Sequence, residues 1–181
     1  MKSSGTKVRT PHQLGYRMPA EWEPHAATWL AWPHEKSDWP GKFAPIPWVY
    51  ADIVRHLAQF ERVRILVEDA VAERAAVRIL KSAGANVSAI DFFRVPTNRG
   101  WIRDFGPIFV RNTKGETAVT NWHFNAWAKY DDWKKDDAAN DRLTPRLKWK
   151  TWRPEIRRRR VVLEGGSIEV NGCGTMITTE E

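Results

Sequence analysis

The chain has 181 residues, of which 42% are hydrophobic, and this suffices for one domain with a hydrophobic core. Charged residues make up 28%, and no Ser/Gly or Gln/Asn tract dominates, so a disordered chain is not the default expectation. The formal net charge is +7. The single cysteine, Cys173, excludes a disulfide framework and a cysteine-based metal site. Eleven tryptophans favour a globular protein with aromatic-lined cavities.

The beginning of the chain differs in character from the rest. Residues 1–17 are polar and basic and contain no apolar signal-peptide core, so we interpret them as a leader and residues 18–181 as one domain. No apolar run approaches the length of a membrane span. The sequence therefore predicts a cytoplasmic protein without a membrane partner.

The first part of the domain alternates strands with helices. A short apolar run predicts a strand at 28–32, and four prolines predict a loop over 33–47. Apolar residues at three- and four-residue steps from Val49 to Phe60 predict an amphipathic helix. A strand at 64–67 and a second helix at 70–83, ended by Gly84, follow.

Strands dominate the remainder of the chain. They are predicted at 87–95, 108–111, 117–122, 161–163 and 175–178, with hairpin turns at 112–115 and 171–174. Residues 129–155 are polar and predict a long connection with a little helix. This order of elements predicts an α/β fold with mixed strand pairing.

Much of the positive charge lies in Arg153 and in residues 157–160, which are all arginines. Two interpretations are open: a solvated linker that flanks an apolar strand, or a phosphate-binding patch. No zinc-finger, helix-turn-helix or ribonucleoprotein-type pattern supports the second. The sequence therefore favours a protein without a nucleic-acid partner and keeps nucleic-acid association as the alternative.

Residues 101–107 (WIRDFGP) contain the first candidate for chemistry. Asp104 follows bulky apolar residues and precedes a Gly-Pro break, so its carboxylate is predicted to be partly buried. It either bonds Arg103 or backbone amides locally, or holds a cationic ligand with Trp101 as an aromatic wall.

The second candidate is Glu164, which is followed by Gly165 and Gly166. It is either an exposed turn residue or a carboxylate that reaches a ligand closely, because glycines remove side-chain bulk. Two carboxylates on separate corners fit a planar guanidinium group. No nearby histidine or further acid supports a metal, so no metal and no cofactor is predicted.

The histidines and the cysteine add little to these candidates. No pair of histidines has zinc-site spacing, and His56 falls on a predicted helix surface. His25 and His123 lie near strands and are minor candidates for ligand contact. Cys173 lies in a Gly-rich turn with no nearby histidine, so it is a poor candidate for a nucleophile.

Four segments together resemble the agmatine deiminase and bacterial peptidyl-arginine deiminase family. They are residues 18–25 with 28–33 (MPAEWEPH and TWLAWP), 101–110 (WIRDFGPIFV), 122–127 (WHFNAW) and 163–168 (LEGGSI). The resemblance implies a pentein-type α/β propeller, in which five ββαβ units surround a central site. It also implies hydrolysis of a guanidino group to a ureido group with release of ammonia, through a cysteine nucleophile and a proton-shuttling histidine.

The resemblance also implies roles for individual residues. Asp104 would grip the guanidinium group, and Glu164 would bond the substrate or the histidine. Trp101 and Trp32 would be pocket walls, and Gly165 would lie against the substrate. The implied partner is a small cationic guanidino compound such as agmatine or arginine, and the resemblance is compatible with a homo-oligomer of the full-length protein.

The chain departs from the family pattern in one respect. The His-x-Asp element and the Gly-flanked catalytic cysteine have no counterpart, and Cys173 does not match the nucleophile motif. The sequence is therefore interpreted as the N-terminal part of a family member, roughly half of the ring, with little or no activity by itself. A non-catalytic guanidine-binding module and a peptidyl-arginine deiminase are the alternatives.

Overall fold

The computed structural model describes residues 9–179. Its strands pair in both parallel and antiparallel directions. The elements in chain order are β1 (Tyr16–Arg17), β2 (Ala27–Ala31), α1 (Ile46–Leu57), β3 (Arg62–Val67), α2 (Ala70–Ser82), β4 (Ile90–Arg94), α3 (Ile102–Phe105), β5 (Ile108–Asn112), β6 (Thr117–Thr120), α4 (Lys134–Asp137), α5 (Ala139–Arg146), β7 (Lys150–Trp152), β8 (Glu155–Ile156), β9 (Arg159–Arg160), β10 (Ile168–Val170) and β11 (Met176–Thr178).

The first half of the fold is a parallel sheet in the order β2-β3-β4. Its central strand, β3, is buried on both faces. Val63 and Ile65 pack in a cluster with residues of α1 and α2, whereas Leu66 belongs to a second cluster that includes Phe105 and Phe124. β3 therefore contributes apolar side chains to both core clusters, as is typical of a central parallel strand.

The two helices beside this sheet begin and end at recognisable signals. α2 begins after Asp69, whose carboxylate accepts hydrogen bonds from the backbone N–H groups of Val71 and Ala72 at 2.8 Å. α1 buries Val54, but Ile53 is 43% exposed and Phe60 lies beyond the helix at 88% exposed. The predicted apolar face of α1 is therefore only partly used for packing.

A second, mixed sheet has the order β1-β5-β6-β7. β5 and β6 form the predicted hairpin, in whose turn Asn112 Oδ1 accepts from the N–H groups of Lys114 and Glu116. β7 pairs parallel to β6, so the prediction of mixed pairing is confirmed. Residues 1–8 of the predicted leader lie outside the described residues. Tyr16, which also belongs to the predicted leader, is buried and pairs with β5, so the first strand of this sheet lies within the predicted leader.

Three expectations about local structure differ from the fold. Residues 129–155 are not mainly a connection, because they contain α4, α5 and β7; Trp152 of β7 packs against Tyr16 with ring centroids 5.2 Å apart. Residues 161–163 form no strand and make only one bridge, between Val162 and His123. Residues 87–89 form a 3₁₀ turn before β4. Long-range packing overrides local propensity in these places.

Candidate functional site

The two predicted corners meet in space although they lie 62 residues apart: Gly166 N–H donates to Asp104 Oδ1 at 3.1 Å. A Cβ atom on Gly166 would collide with Asp104 Oδ1, and one on Gly165 would collide with the carbonyl oxygen of Arg103. The two glycines therefore allow two chain segments to approach each other. The sequence leads us to expect that the glycines bring Glu164 close to a ligand. In the structure they bring residues 165 and 166 close to residues 103 and 104.

Asp104 and Glu164 form a pair of partly buried carboxylates. Burial raises the pKa of Asp104, against the hydrogen bonds from Gly166 and the Trp127 side chain and the charge of Arg103, which lower it. Burial likewise raises the pKa of Glu164, and the negative charge of Asp104 raises it further. Such a pair is stabilised by a cation placed between the two groups.

No salt bridge to Asp104 or Glu164 is present among residues 9–179. Arg103, the neighbour of Asp104 in sequence, instead pairs with Glu21 and with Glu169, the latter at 3.2 Å. Of the two kinds of partner considered for Asp104, which are Arg103 and backbone amides, a backbone amide bonds it, and this amide belongs to the distant residue Gly166. The carboxylate pair retains hydrogen-bond acceptor capacity that a guanidinium group can use.

A strained turn holds Trp127 beside Asp104. Ala126, Trp127 and Ala128 have φ angles of 51°, 59° and 52°, which place three successive non-glycine residues in the left-handed region. The Trp127 ring packs edge-on against Phe124 at 5.2 Å. Trp127 was not predicted as a site residue, although the 122–127 motif ends on it.

Trp101 stands at one end of a series of aromatic side chains in contact with one another. Trp101 is 38% exposed, and its ring lies 5.5 Å from Trp39, which in turn lies 6.4 Å from Tyr50. Trp101 and Gly165 both line a groove of about 480 Å³. Asp104 and Glu164 are not themselves among the residues that line it. Trp39 was not predicted as a site residue, because it lies in the proline-rich loop at 33–47.

Trp32 lies elsewhere. It is 8% exposed, belongs to the core cluster between the parallel sheet and α1, and contacts Tyr50 edge-on at 6.4 Å. The structure therefore brings together Asp104, Glu164, Gly165 and Trp101 and leaves Trp32 in the core, away from the groove lining.

The two histidine candidates are each held by a carboxylate. His25 lines the groove, and its Nδ1 lies 2.6 Å from Glu61 Oε2. His123 Nδ1 lies 2.9 Å from Asp137 Oδ1, and its ring packs edge-on against Trp133. Each imidazole ring is thus oriented by an acidic partner.

The arginine run has two distinct parts. Arg160 binds both carboxylate oxygens of Asp137 at 3.1 Å and donates to the carbonyl oxygen of Trp122 at 2.6 Å, so it is neither a solvated charge nor free for phosphate. Arg157 and Arg158 are exposed at the turn between β8 and β9. The interpretation as a solvated linker therefore fails for Arg160.

Other kinds of site are not found in the part of the chain that the structure describes. Residues 9–179 contain no group of three or more His, Cys, Asp or Glu side chains able to hold a metal ion. Over the same range no helix combines the length and apolarity that crossing a membrane requires. Cys173 is exposed in the β10–β11 turn.

Comparisons with known proteins show the family to which the chain is similar. The sequence profile of the Porphyromonas-type peptidyl-arginine deiminase family matches residues 17–181. An agmatine deiminase from Ectopseudomonas mendocina is 37% identical over 181 residues, which cover 97% of this chain and 46% of that protein. The chain thus spans about half the length of this curated relative.

Solved structures show the same relationship. The agmatine deiminase of Enterococcus faecalis matches 94% of this chain and 45% of its own, with a TM-score of 0.82 and 31% identity. A substrate-bound agmatine deiminase from C. jejuni matches 90% of this chain with a TM-score of 0.75 and 29% identity. These matches confirm the predicted pentein-type α/β fold, present here over about half of its full extent. Because the family profile covers nearly the whole sequence, this chain belongs to the Porphyromonas-type peptidyl-arginine deiminase family.

Proposed function

We propose that this chain supplies the guanidinium-binding part of an agmatine deiminase, a hydrolase that converts agmatine to N-carbamoylputrescine and releases ammonia. The observation that carries the proposal is the meeting of the two corners that hold Asp104 and Glu164: both carboxylates are partly buried, and Gly166 N–H, two residues after Glu164, donates to Asp104 Oδ1 at 3.1 Å. Both residues lie in motifs typical of the family. The names of the relatives support agmatine as the substrate.

In this proposal the carboxylates bind and orient the substrate. Asp104, fixed by Gly166 N–H, accepts hydrogen bonds from one edge of the guanidinium group, and Glu164 accepts from another. Two such contacts fix the plane of the group and leave its central carbon open to attack from one face. Trp101, at the edge of the groove, covers the apolar part of the ligand.

The nucleophile of this reaction is not Cys173. Cys173 is exposed in the turn between β10 and β11, and it does not match the nucleophile motif of the family. We therefore assign the nucleophilic cysteine and the proton-shuttling histidine to parts of the protein beyond residues 9–179. Cytoplasmic location, homo-oligomer formation and the absence of a nucleic-acid partner stay predictions of the sequence.

Calorimetry with this chain and agmatine tests the proposal. We expect binding without ammonia release, and an affinity that increases as the pH rises above the ordinary range of carboxyl groups, because the raised pKa values of Asp104 and Glu164 let protons compete with the cation. Asp104→Asn should weaken binding by roughly tenfold or more, the scale of a lost charge-assisted hydrogen bond. The control is Asp52→Asn, which removes a 60%-exposed carboxylate of α1 and should leave binding unchanged.

The outcomes separate the alternatives. Absence of agmatine binding would contradict the assignment of the site. Ammonia release by the chain alone would show that it carries its own nucleophile. Binding of an arginine-containing peptide in preference to agmatine would favour the peptidyl-arginine deiminase that gives the family its name.

A further inference from the structure

Arg99 carries a guanidinium group into the interior of the protein. Its side chain is 7% exposed, and Nη1 pairs with Asp38, whose side chain is 3% exposed. Nη2 lies 3.1 Å and 3.2 Å from the two oxygens of Asp132, and the ring of Tyr130 lies 4.2 Å from the guanidinium carbon. Two carboxylates and one aromatic face thus hold this group.

The backbone at Arg99 is held as well. Asp136, which is fully buried, accepts hydrogen bonds through Oδ1 from Asn98 N–H at 2.6 Å and from Arg99 N–H at 3.3 Å. Both the main chain and the side chain of Arg99 are therefore fixed only two residues before Trp101.

One set of contacts leads from Arg99 to Trp101. Asp38 is followed by Trp39, whose ring lies 5.5 Å from that of Trp101 at an interplanar angle of 31°. The ion pair with Arg99 fixes the middle of the loop between β2 and α1, at the residue before Trp39. The aromatic wall of the groove therefore depends on where Arg99 holds Asp38.

A second set of contacts leads from Arg99 to Asp104. Tyr130, which covers the guanidinium group, lies 6.1 Å from Trp127 in an edge-on arrangement. The Trp127 side chain in turn lies close enough to the Asp104 carboxylate to lower its pKa. The same buried cation thus supports both aromatic neighbours of the candidate site.

We propose that Arg99 is a positioning residue for the substrate site, because it fixes Trp101 through Asp38 and Trp39 and fixes Trp127 through Tyr130. This inference rests on the proposed function for its consequence on binding. A lysine would keep the charge but would lose the planar fork that contacts Asp38 and Asp132 together and would stack less well on Tyr130.

Fluorine NMR of the fluorotryptophan-labelled chain, combined with agmatine calorimetry, tests this role. In Arg99→Lys we expect the resonances of Trp39, Trp101 and Trp127 to move and agmatine affinity to decrease by roughly tenfold. The resonance of Trp22, which is 75% exposed, should not move. The matched control is Arg62→Lys, which changes an exposed arginine paired with Asp91 and should alter none of these resonances.

Asp132→Asn is the second variant, and it decides the question if Arg99→Lys does not fold. The Asp132 side chain is 45% exposed, so its loss should leave the Asp38 ion pair and the fold intact while moving the Trp127 resonance. Unmoved Trp101 and Trp127 resonances, or moved resonances with unchanged agmatine affinity, would overturn the inference. If the wild-type chain binds no agmatine, the proposed function fails, and the resonance shifts still show whether Arg99 positions the tryptophans.

Discussion

The buried and partly buried carboxylates of this protein differ in whether a cationic side chain pairs with them. Asp38 has Arg99 and Asp137 has Arg160, whereas no salt bridge is formed by Asp136 or Asp104 among the described residues. A buried carboxylate without a cationic partner favours its protonated form. Burial accordingly raises the pKa of Asp136 to about 7, against the hydrogen bonds from the N–H groups of residues 98 and 99.

The raised pKa of Asp136 predicts a pH-dependent stability. The favourable contribution of the protonated carboxyl group is complete below its ordinary value of 3.8 and is lost as the pH increases to about 7. The full difference corresponds to roughly 4 kcal/mol at most. We expect Asp136→Asn to be about 1–3 kcal/mol more stable than the wild-type chain near pH 8 and no more stable near pH 4, because the amide keeps an oxygen acceptor but carries no charge. Urea unfolding at both pH values measures this.

Asp137→Asn is the control for Asp136→Asn. Asp137 has a cationic partner, so its neutralisation removes an ion pair with Arg160 and should destabilise the chain near pH 8. An Asp136→Asn chain that is less stable than the wild type near pH 8 would contradict the interpretation. It would indicate that the ionised carboxylate is stabilised by its two backbone donors.

At the scale of an element, the β8–β9 hairpin carries its strain in its turn. Arg157 and Arg158 have φ angles of 51° and 64°, the arrangement of a two-residue turn that favours Asn and Gly. Replacing Arg158 by glycine removes the left-handed penalty of about 1–2 kcal/mol for a residue with a Cβ atom. This gain exceeds the roughly 0.5–1 kcal/mol that the conformational freedom of glycine in the unfolded chain costs. We therefore expect Arg158→Gly to increase the free energy of unfolding by about 0.5–1 kcal/mol, measured by urea unfolding.

Arg159→Gly is the matched comparison for the turn. Arg159 lies in β9, outside the left-handed region, so a glycine there only adds conformational freedom to the unfolded chain and should destabilise the protein by about 0.5–1 kcal/mol. Both variants remove one exposed arginine, so a charge effect would change the two in the same direction. Equal effects of the two variants would contradict the assignment of strain to the turn.

Elements whose periodicity is local were predictable from the sequence, and those that depend on distant contacts were not. The apolar run of β3 and the glycine stop of α2 identified both elements. β7 was missed because its three residues are polar in pattern and gain their place through pairing with β6 and the contact of Trp152 with Tyr16.

The same distinction holds for the site. Asp104 and Glu164 were predictable because each precedes glycine at a corner between apolar residues. Arg99 was not, because its partners lie far away in the sequence: Asp38 is 61 residues from Arg99. Trp127 was not, because Asp104, the carboxylate beside it, belongs to another segment of the chain. Sequence motifs identified the groups that would touch a ligand, whereas the structure was needed to find the groups that hold them.

At the scale of the whole molecule, two opposed features control association. The net charge of +7 keeps chains apart, whereas the apolar side chains of Met176 and Ile177 are 60% and 71% exposed on β11. Among residues 9–179, β11 pairs with β10 alone, so its other edge presents backbone donors and acceptors. Such an edge with apolar side chains favours pairing with another strand.

We therefore expect this chain to self-associate through β11, more strongly at high salt, because salt screens the repulsion between the positive charges. Ile177→Lys should reduce association several-fold, since a charge on an edge strand opposes pairing between chains. The hairpin itself should persist, because residue 177 lies opposite Glu169 and the new charge forms a favourable cross-strand pair. Sedimentation velocity at low and high salt measures the effect.

Val71→Lys adds the same charge at a 64%-exposed apolar position on α2 and serves as the control. An equal decrease in both variants would show that net charge, rather than the β11 edge, controls association.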